Sequence, residues 1–359
     1  MGTENKRRLF IKQLFSFLAF SAGSVLSYKE NSGLRIGKSG QIKIGLSEAR
    51  AMAVGARVKK IACEEHANKQ DIENFDKRLK AMDEADINMQ VISFSQGGAA
   101  SVSPSEEVSA IKGVNDTFAG IKQKYPERFA FYTTLPLRDP DKSVDELERA
   151  VKQLGLKGPL IYAGYEGSYL DEQKFWGIYE MAEKLGVPVY VHPGSILPDM
   201  NGPYNSPYPV VSGAMWGFAA ATGLHAVRLI VSGVFDKYPG LKIMLGHLGE
   251  SIPYWLWRMD NMYGKYQDIL DKDAPGNNLK KKPSQYFKEN FYVTTSGMFW
   301  EPPLQLCITA LGADRILFGC DYPPESDLVF ASQWIDSVSM SDSDREKICH
   351  LNAEKLLRI

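Results

Sequence analysis

Cysteine is scarce and unpatterned. The four thiols, Cys63, Cys307, Cys320 and Cys349, show no C-x-x-C spacing. This excludes a zinc knuckle and a dithiol redox pair, and leaves free, buried thiols as the expectation. An excess of either charge is also lacking: 42 Lys and Arg stand against 43 Asp and Glu, for a net charge of -1. No global field therefore draws the chain to nucleic acid or to an anionic membrane. The one compact basic run, Lys280-Lys281-Lys282 before Pro283, reads as a solvated loop. Histidine is rare too, with five in 359 residues, so any cluster of them is informative.

The N-terminal 27 residues differ from the rest. Lys6-Arg7-Arg8-Leu9-Phe10-Ile11-Lys12 precedes the uncharged, mostly apolar stretch Leu14 to Leu26. Its 13 residues are too few to cross a bilayer core, so no stable membrane span is expected here. A basic segment before a short apolar one has the form of a signal peptide, and the arginine pair resembles the bacterial twin-arginine export signal. Cleavage after Ser27 and cleavage near Ala22-Gly23 are both open, and a basic tail or an amphipathic anchor is the other reading. On the export reading, the folded protein passes through the twin-arginine machinery and resides in the periplasm or outside the cell. Residues 28 to 57, rich in Gly, Ser and Lys, form a lead-in to a single domain over 58 to 359.

In that domain short apolar runs alternate with helical periodicity, the pattern of an α/β protein with a parallel sheet. Eight runs read as strands: Lys60–His66, Met89–Ser95, Phe129–Leu137, Pro159–Gly164, Pro188–Pro193, Lys242–His247, Phe291–Gly297 and Arg315–Asp321. Ser143-Val144-Asp145-Glu146 has the form of a capping box. Asp171 is placed to cap a helix carrying Phe175, Ile178, Ala182 and Leu185 before Gly186. Eight strands alternating with helices in this length predict a (β/α)8 TIM barrel with long βα loops at its C-terminal face. An open doubly wound sheet is the competing fold, but no Gly-rich phosphate turn follows the first strand. Long connections are expected after strands five and six. The first carries Pro198, Tyr204, Tyr208, Met215 and Trp216, suited to the wall of an aromatic pocket or to a subunit interface.

Three histidines, His66, His192 and His247, end predicted strands. Side chains alternate along a strand, so Glu64 and His66 share one face of strand one. The apolar Ile61 and Cys63 are assigned to the helix-facing exterior, and Glu64 and His66 to the interior. In strand eight Ile316, Phe318 and Cys320 face the helices, while Leu317, Gly319 and Asp321 face the axis. Imidazoles and carboxylates from several strand ends converge above a barrel, and form a ligand set for a redox-neutral divalent cation such as Zn2+ or Mn2+. His225 and His350 are read as structural.

The segments Ile61-Ala62-Cys63-Glu64-Glu65-His66, Tyr190-Val191-His192-Pro193, Gly246-His247-Leu248-Gly249-Glu250 and Leu317-Phe318-Gly319-Cys320-Asp321-Tyr322-Pro323 resemble the metal-site segments of the amidohydrolase-related family. Within it they are similar to the γ-resorcylate, 2,3-dihydroxybenzoate and 5-carboxyvanillate decarboxylases. Thr294-Thr295-Ser296-Gly297 and Tyr254-Trp255-Leu256-Trp257-Arg258 match as well. The resemblance implies one divalent metal, Zn2+ or Mn2+, held by Glu64, His66, His192 and Asp321. It implies catalytic roles for Asp321, for His247 and for Glu250, which would orient His247. His247 and Arg258 would contact a small aromatic acid substrate, although a surface ion pair also accounts for Arg258. A homodimer or homotetramer is implied. Ala67 and Gly194 depart from the family pattern and are assigned to the pocket rim, where substrates are selected.

The implied reaction is non-oxidative loss of CO2 from a hydroxylated aromatic acid, with Asp321 protonating the ring carbon. The alternative is hydrolysis of a lactone, ester or amide at the same site. Strand four ends without a Lys or Glu to bridge two metals, which disfavours a binuclear hydrolase. A binding protein that has lost catalysis is the third reading, and no expected ligand is missing to support it.

Overall fold

The computed structural model describes residues 35–36, 42–43 and 58–359, the last apart from 69–70, 73–74, 95–102, 195–207, 268, 270–277 and 325–326. The chain divides into two compact units, Met1–Arg57 and Val58–Ile359. In the first, Arg35–Ile36 pairs antiparallel with Ile42–Lys43. The export segment over 1–27 lies outside the described residues, as do Pro198 and Tyr204.

Eight strands occur where the apolar runs stand: β1 (Ile61–Ala67), β2 (Met89–Phe94), β3 (Phe129–Phe131), β4 (Leu160–Tyr162), β5 (Val189–His192), β6 (Ile243–Leu245), β7 (Phe291–Thr294) and β8 (Ile316–Leu317). The longer helices are α1 (Phe75–Glu84), α2 (Glu107–Lys124), α3 (Pro140–Lys152), α4 (Trp176–Leu185), α5 (Gly217–Val231), α6 (Ile252–Lys265), α7 (Pro283–Asn290), α8 (Glu301–Leu311) and α9 (Leu328–Ser337). These eight strands pair in parallel, β1–β2–β3 in one run and β4 through β8 in the other. A bridge from Thr133 to Pro159 joins β3 to β4, and a bridge from Glu65 to Tyr322 joins the end of β8 to β1. At that last seam the Cys63 amide donates to the Phe318 carbonyl at 2.8 Å. The sheet is thus closed, as the (β/α)8 reading requires.

Two buried layers follow from the alternation. The inner one contains Ile61, Cys63, Met89, Val91, Tyr132, Tyr190, Met244, Tyr292 and Leu317. The outer one, between strands and helices, contains Ala62, Phe131, Val191, Leu245, Val293, Ile316, Phe318 and Cys320. Strand eight faces as predicted, but strand one does not: Ile61 and Cys63 lie inside the barrel. The cause is an irregularity in register, because Ala62 pairs with Gln90 and Glu65 with Ile92, three residues on β1 against two on β2. The extra residue shifts the alternation, so that Cys63 below and Glu64 and His66 above all reach the interior. Ala67 is also displaced from its assigned place, being fully buried in the outer layer rather than at a pocket rim.

Local chemistry sets the helix ends, not always at the expected residue. Asp139 caps α3 by accepting the Lys142 amide at 3.0 Å, with Pro140 opening the helix. Ser143 is therefore inside the first turn, where its hydroxyl donates to the Pro136 carbonyl at 2.8 Å instead of forming a capping box. Asp171 does not cap α4 either; it pairs with Arg228 of α5 at 2.8 Å. Gly186 does end α4, in the left-handed conformation. Among its described residues the connection after β6 carries two helices, α6 and α7. The stretch Pro209–Val231 is apolar and long enough to cross a membrane by composition alone. Its α5 portion buries Ala226, Leu229 and Ile230 in the outer layer, as a core helix does. All four cysteines are free and buried, as expected.

Candidate metal centre

β1, β5, β6 and β8 each deliver one or two polar side chains to the same end of the barrel. His66 Nε2 lies 3.1 Å from His192 Nε2 and 3.0 Å from Asp321 Oδ1. His247 Nε2 lies 3.5 Å from Asp321 Oδ2. Ligand atoms of Glu64, His66 and His192 fall within 4.8 Å of one another, and so do those of Glu64, His247 and Asp321. The two groups share Glu64, so five side chains surround one point.

The hydrogen bonds around this cluster leave its inward atoms free. His192 Nδ1 donates to the Pro193 carbonyl at 2.8 Å, which can only accept, so Nε2 carries the lone pair. Ser93 Oγ donates to the Glu65 carbonyl at 3.2 Å and lies 2.6 Å from His66 Nδ1, which must then be the donor to it. The His66 Nε2 is a lone pair as well. Two imidazole lone pairs that face each other at 3.1 Å repel unless a cation lies between their axes. Thr294 and Ser296 both donate to the same oxygen of Glu64, Oε2. The other oxygen, Oε1, is buried without a hydrogen-bond partner. A fully buried carboxylate oxygen left unsatisfied is costly, and a bound cation would satisfy it. Gly246 permits this arrangement, because a Cβ there would meet Glu64 Oε1 at 2.6 Å. The donor set of carboxylates and neutral imidazoles fits a divalent ion.

Electrostatics divides the cluster in two. Burial, reinforced by the neighbouring His66, pushes the His192 imidazole down to about 3, so it stays neutral. For His247, burial opposes the charge, but the Glu250 carboxylate and the bond to Asp321 outweigh it and hold the imidazole well above its ordinary value. Glu250 Oε1 lies 2.8 Å from His247 Nδ1, and its own pKa is raised by burial against the pull of His247. Asp321 is buried, which raises a carboxyl, yet the hydrogen bond from His247 and the neighbouring His66 ring bring it well below the usual range.

The backbone at the β6 end is strained. His247, Leu248, Gly249, Glu250 and Ser251 all have positive φ, between 51° and 82°, forming one turn of left-handed helix. The turn stacks His247 and Glu250 on one side, three residues apart. Gly249 is required twice, by its φ of 82° and because a Cβ would meet Val293 Cγ1 at 2.9 Å.

The structure thus brings together Glu64, His66, His192, His247, Glu250 and Asp321. Arg258 is exposed on α6, with no ion pair or hydrogen bond among the described residues. His225 is fully buried in α5, and His350 pairs with Glu354 at 3.2 Å. Sequence reading passed over Ser93, the hydroxyls of Thr294 and Ser296 as supports of Glu64, and Glu65. The available signal was a polar residue in each otherwise apolar strand end.

A family model described as amidohydrolase matches residues 61–359. The chain is similar to gamma-resorcylate decarboxylase of Polaromonas sp. (strain JS666), with 37% identity over 291 residues that cover 79% of this chain and 87% of that one. Among solved structures it is similar to 5-carboxyvanillate decarboxylase from Sphingomonas paucimobilis, at a TM-score of 0.78 and 29% identity over 84% of this chain and 99% of that one. It is also similar to dihydroxybenzoic acid decarboxylase from Polaromonas sp. JS666, solved with manganese and the inhibitor 2-nitroresorcinol. There the TM-score is 0.74 and the identity 34%, over 84% and 97% of the two chains.

Proposed function

Because the chain belongs to the amidohydrolase family, we propose that the cluster at the barrel mouth carries out a decarboxylation. The protein is a metal-dependent carboxy-lyase that removes CO2 from a hydroxylated aromatic acid without oxidation. The convergence of Glu64, His66, His192 and Asp321, with His247 beside Asp321, is the observation that carries this reading. The decarboxylase relatives favour it over hydrolysis.

A bound divalent cation supplies a Lewis acid and a template for the substrate carboxylate and its neighbouring oxygen. We take the ion to be manganese, because the Polaromonas structure holds it. Glu64, His66, His192 and Asp321 would hold the cation. Direct loss of CO2 would leave an aryl carbanion, so the ring carbon must be protonated first. Asp321, a carboxylate at rest, is the donor in this proposal once His247 beside it has passed it a proton. A C–H bond forms at the ring carbon, the bond to the carboxylate breaks, and the ring regains its aromaticity as CO2 leaves. Asp321 is reprotonated from His247, whose proton Glu250 stabilises. Arg258 is assigned to the substrate carboxylate.

The test is metal analysis of the purified protein, then CO2 release from a panel of hydroxybenzoates with and without chelation. Metal-dependent release from at least one is expected. Release from none, alongside turnover of a lactone, would sink the assignment.

Two further parts of the reading concern the cell and the assembly. Arg7-Arg8 and the apolar stretch after them support twin-arginine export, and an Arg7→Lys/Arg8→Lys variant should then stay in the cytoplasm. Exposed Met215, Trp216, Tyr254 and Trp257 support a homodimer or homotetramer, because such a load of exposed aromatics is typical of an interface. A Trp257→Glu variant should lower the mass measured by light scattering.

A further inference from the structure

Glu65 follows a proposed metal ligand and precedes another, but its carboxylate is used elsewhere. It is fully buried, and its Oε1 accepts the Cys320 amide at 2.9 Å while Oε2 accepts the Tyr322 amide at 3.0 Å. Gln90 Nε2 adds a third contact at 3.3 Å. The two amides bracket Asp321, whose φ is 60°. That left-handed conformation is unfavourable for a residue with a Cβ, and persists only where its surroundings enforce it.

Arg78 secures the clamp from behind. It is buried, donating from Nη2 to the His66 carbonyl at 2.5 Å and from Nη1 to Gln90 Oε1 at 3.0 Å. Its guanidinium also lies 5.0 Å from the Tyr322 ring centroid. Both Glu65 oxygens thus accept backbone N–H donors from the segment that carries Asp321. A chain of contacts thus runs from α1 through β2 and β1 to the amides of Cys320 and Tyr322, on either side of Asp321.

We propose that Glu65 is a positioning residue that braces the Asp321 backbone so that its carboxylate meets His66 and His247. The proposal rests on the decarboxylase reading above for its role in turnover, but its effect on metal binding does not. Glutamine at 65 keeps the volume, yet presents an amide N–H2 to one of the two peptide donors, so at least one side of the bracket opens.

The experiment measures Mn2+ affinity by electron paramagnetic resonance on folded wild-type, Glu65→Gln, Asp321→Ala and doubly substituted protein, with kcat and KM alongside. Glu65→Gln should bind Mn2+ about 10–100-fold more weakly, the range typical of an outer support of a metal ligand. Its kcat should fall while KM stays within about twofold. In the Asp321→Ala background the same substitution should weaken binding by less than about twofold, because both act through one group. Wild-type affinity and kcat in Glu65→Gln, or fully additive losses in the double variant, would overturn the positioning role. Should Glu65→Gln not fold, Gln90→Met removes the contacts to Glu65 and Arg78 at similar volume and should give a smaller loss of affinity; no loss overturns the proposal. Wild-type protein that binds Mn2+ but releases no CO2 counts against the decarboxylase reading instead.

Discussion

The ends of β5 and β6 each present a histidine to the same cluster, and their surroundings drive the two imidazoles to opposite states. His192 has a carbonyl behind it and another imidazole in front, so burial keeps it neutral and its lone pair available. His247 has carboxylates on both sides, Glu250 behind and Asp321 in front, so it keeps a proton despite burial. Residue type alone therefore does not assign function at this site. The atom bonded to the outer ring nitrogen separates a lone-pair donor from a proton holder.

The comparison is broken most severely at His192. His192→Ala removes one of the two facing lone pairs, and should abolish both metal content and CO2 release, a loss of at least about 10⁴-fold. Elemental analysis checks the first, and a CO2 assay the second. Retained metal would show that the β5 end is not the ligand side. Asp321→Asn comes next. It keeps the shape but not the carboxyl proton, and should lower kcat by about 10²–10⁴-fold while metal remains bound. Unchanged turnover would remove Asp321 as the donor.

Glu250→Gln sharpens the contrast by making the β6 end resemble the β5 end. Glu250 raises the His247 pKa, so the protonated form persists until pH rises through that raised value. Without the carboxylate the pKa falls, and the alkaline limb of the pH–rate profile should move to lower pH, with kcat down about 10–100-fold. A profile identical to wild type would show that Glu250 does not hold the proton. Ser93→Ala has the smallest expected effect. It frees the His66 ring to change tautomer, and should weaken metal binding about tenfold without changing the pH profile.

Much of the barrel was legible because strands repeat every two residues and each buried run is bounded by turns. The placement of Leu317, Gly319 and Asp321 followed from that period and held. The same rule failed at Ile61 and Cys63, because an irregularity on β1 is defined by its count against β2, which one strand's pattern does not carry. The capping residues failed for a related reason. Ser143 and Asp171 fit a local motif, but a better cap lay upstream for the first and a cation on α5 claimed the second. The ligand residues were readable as side-chain types at strand ends. Their supports were not, since Glu65, Ser93 and Arg78 gain their roles only when strand one meets strands two and eight.

The reversed coil from His247 to Ser251 carries a consequence for evolving this protein toward heat resistance. Four of its five residues bear a Cβ in a conformation that penalises one. Glycine, which ordinarily loosens a fold, should raise the melting temperature at the exposed Ser251, whereas a β-branched residue there should lower it; Leu248 is buried in the outer layer, where losing its side chain would outweigh the relief. A screen for hardiness would therefore be drawn toward the loop that aims the catalytic proton, and its survivors should be more durable and slower.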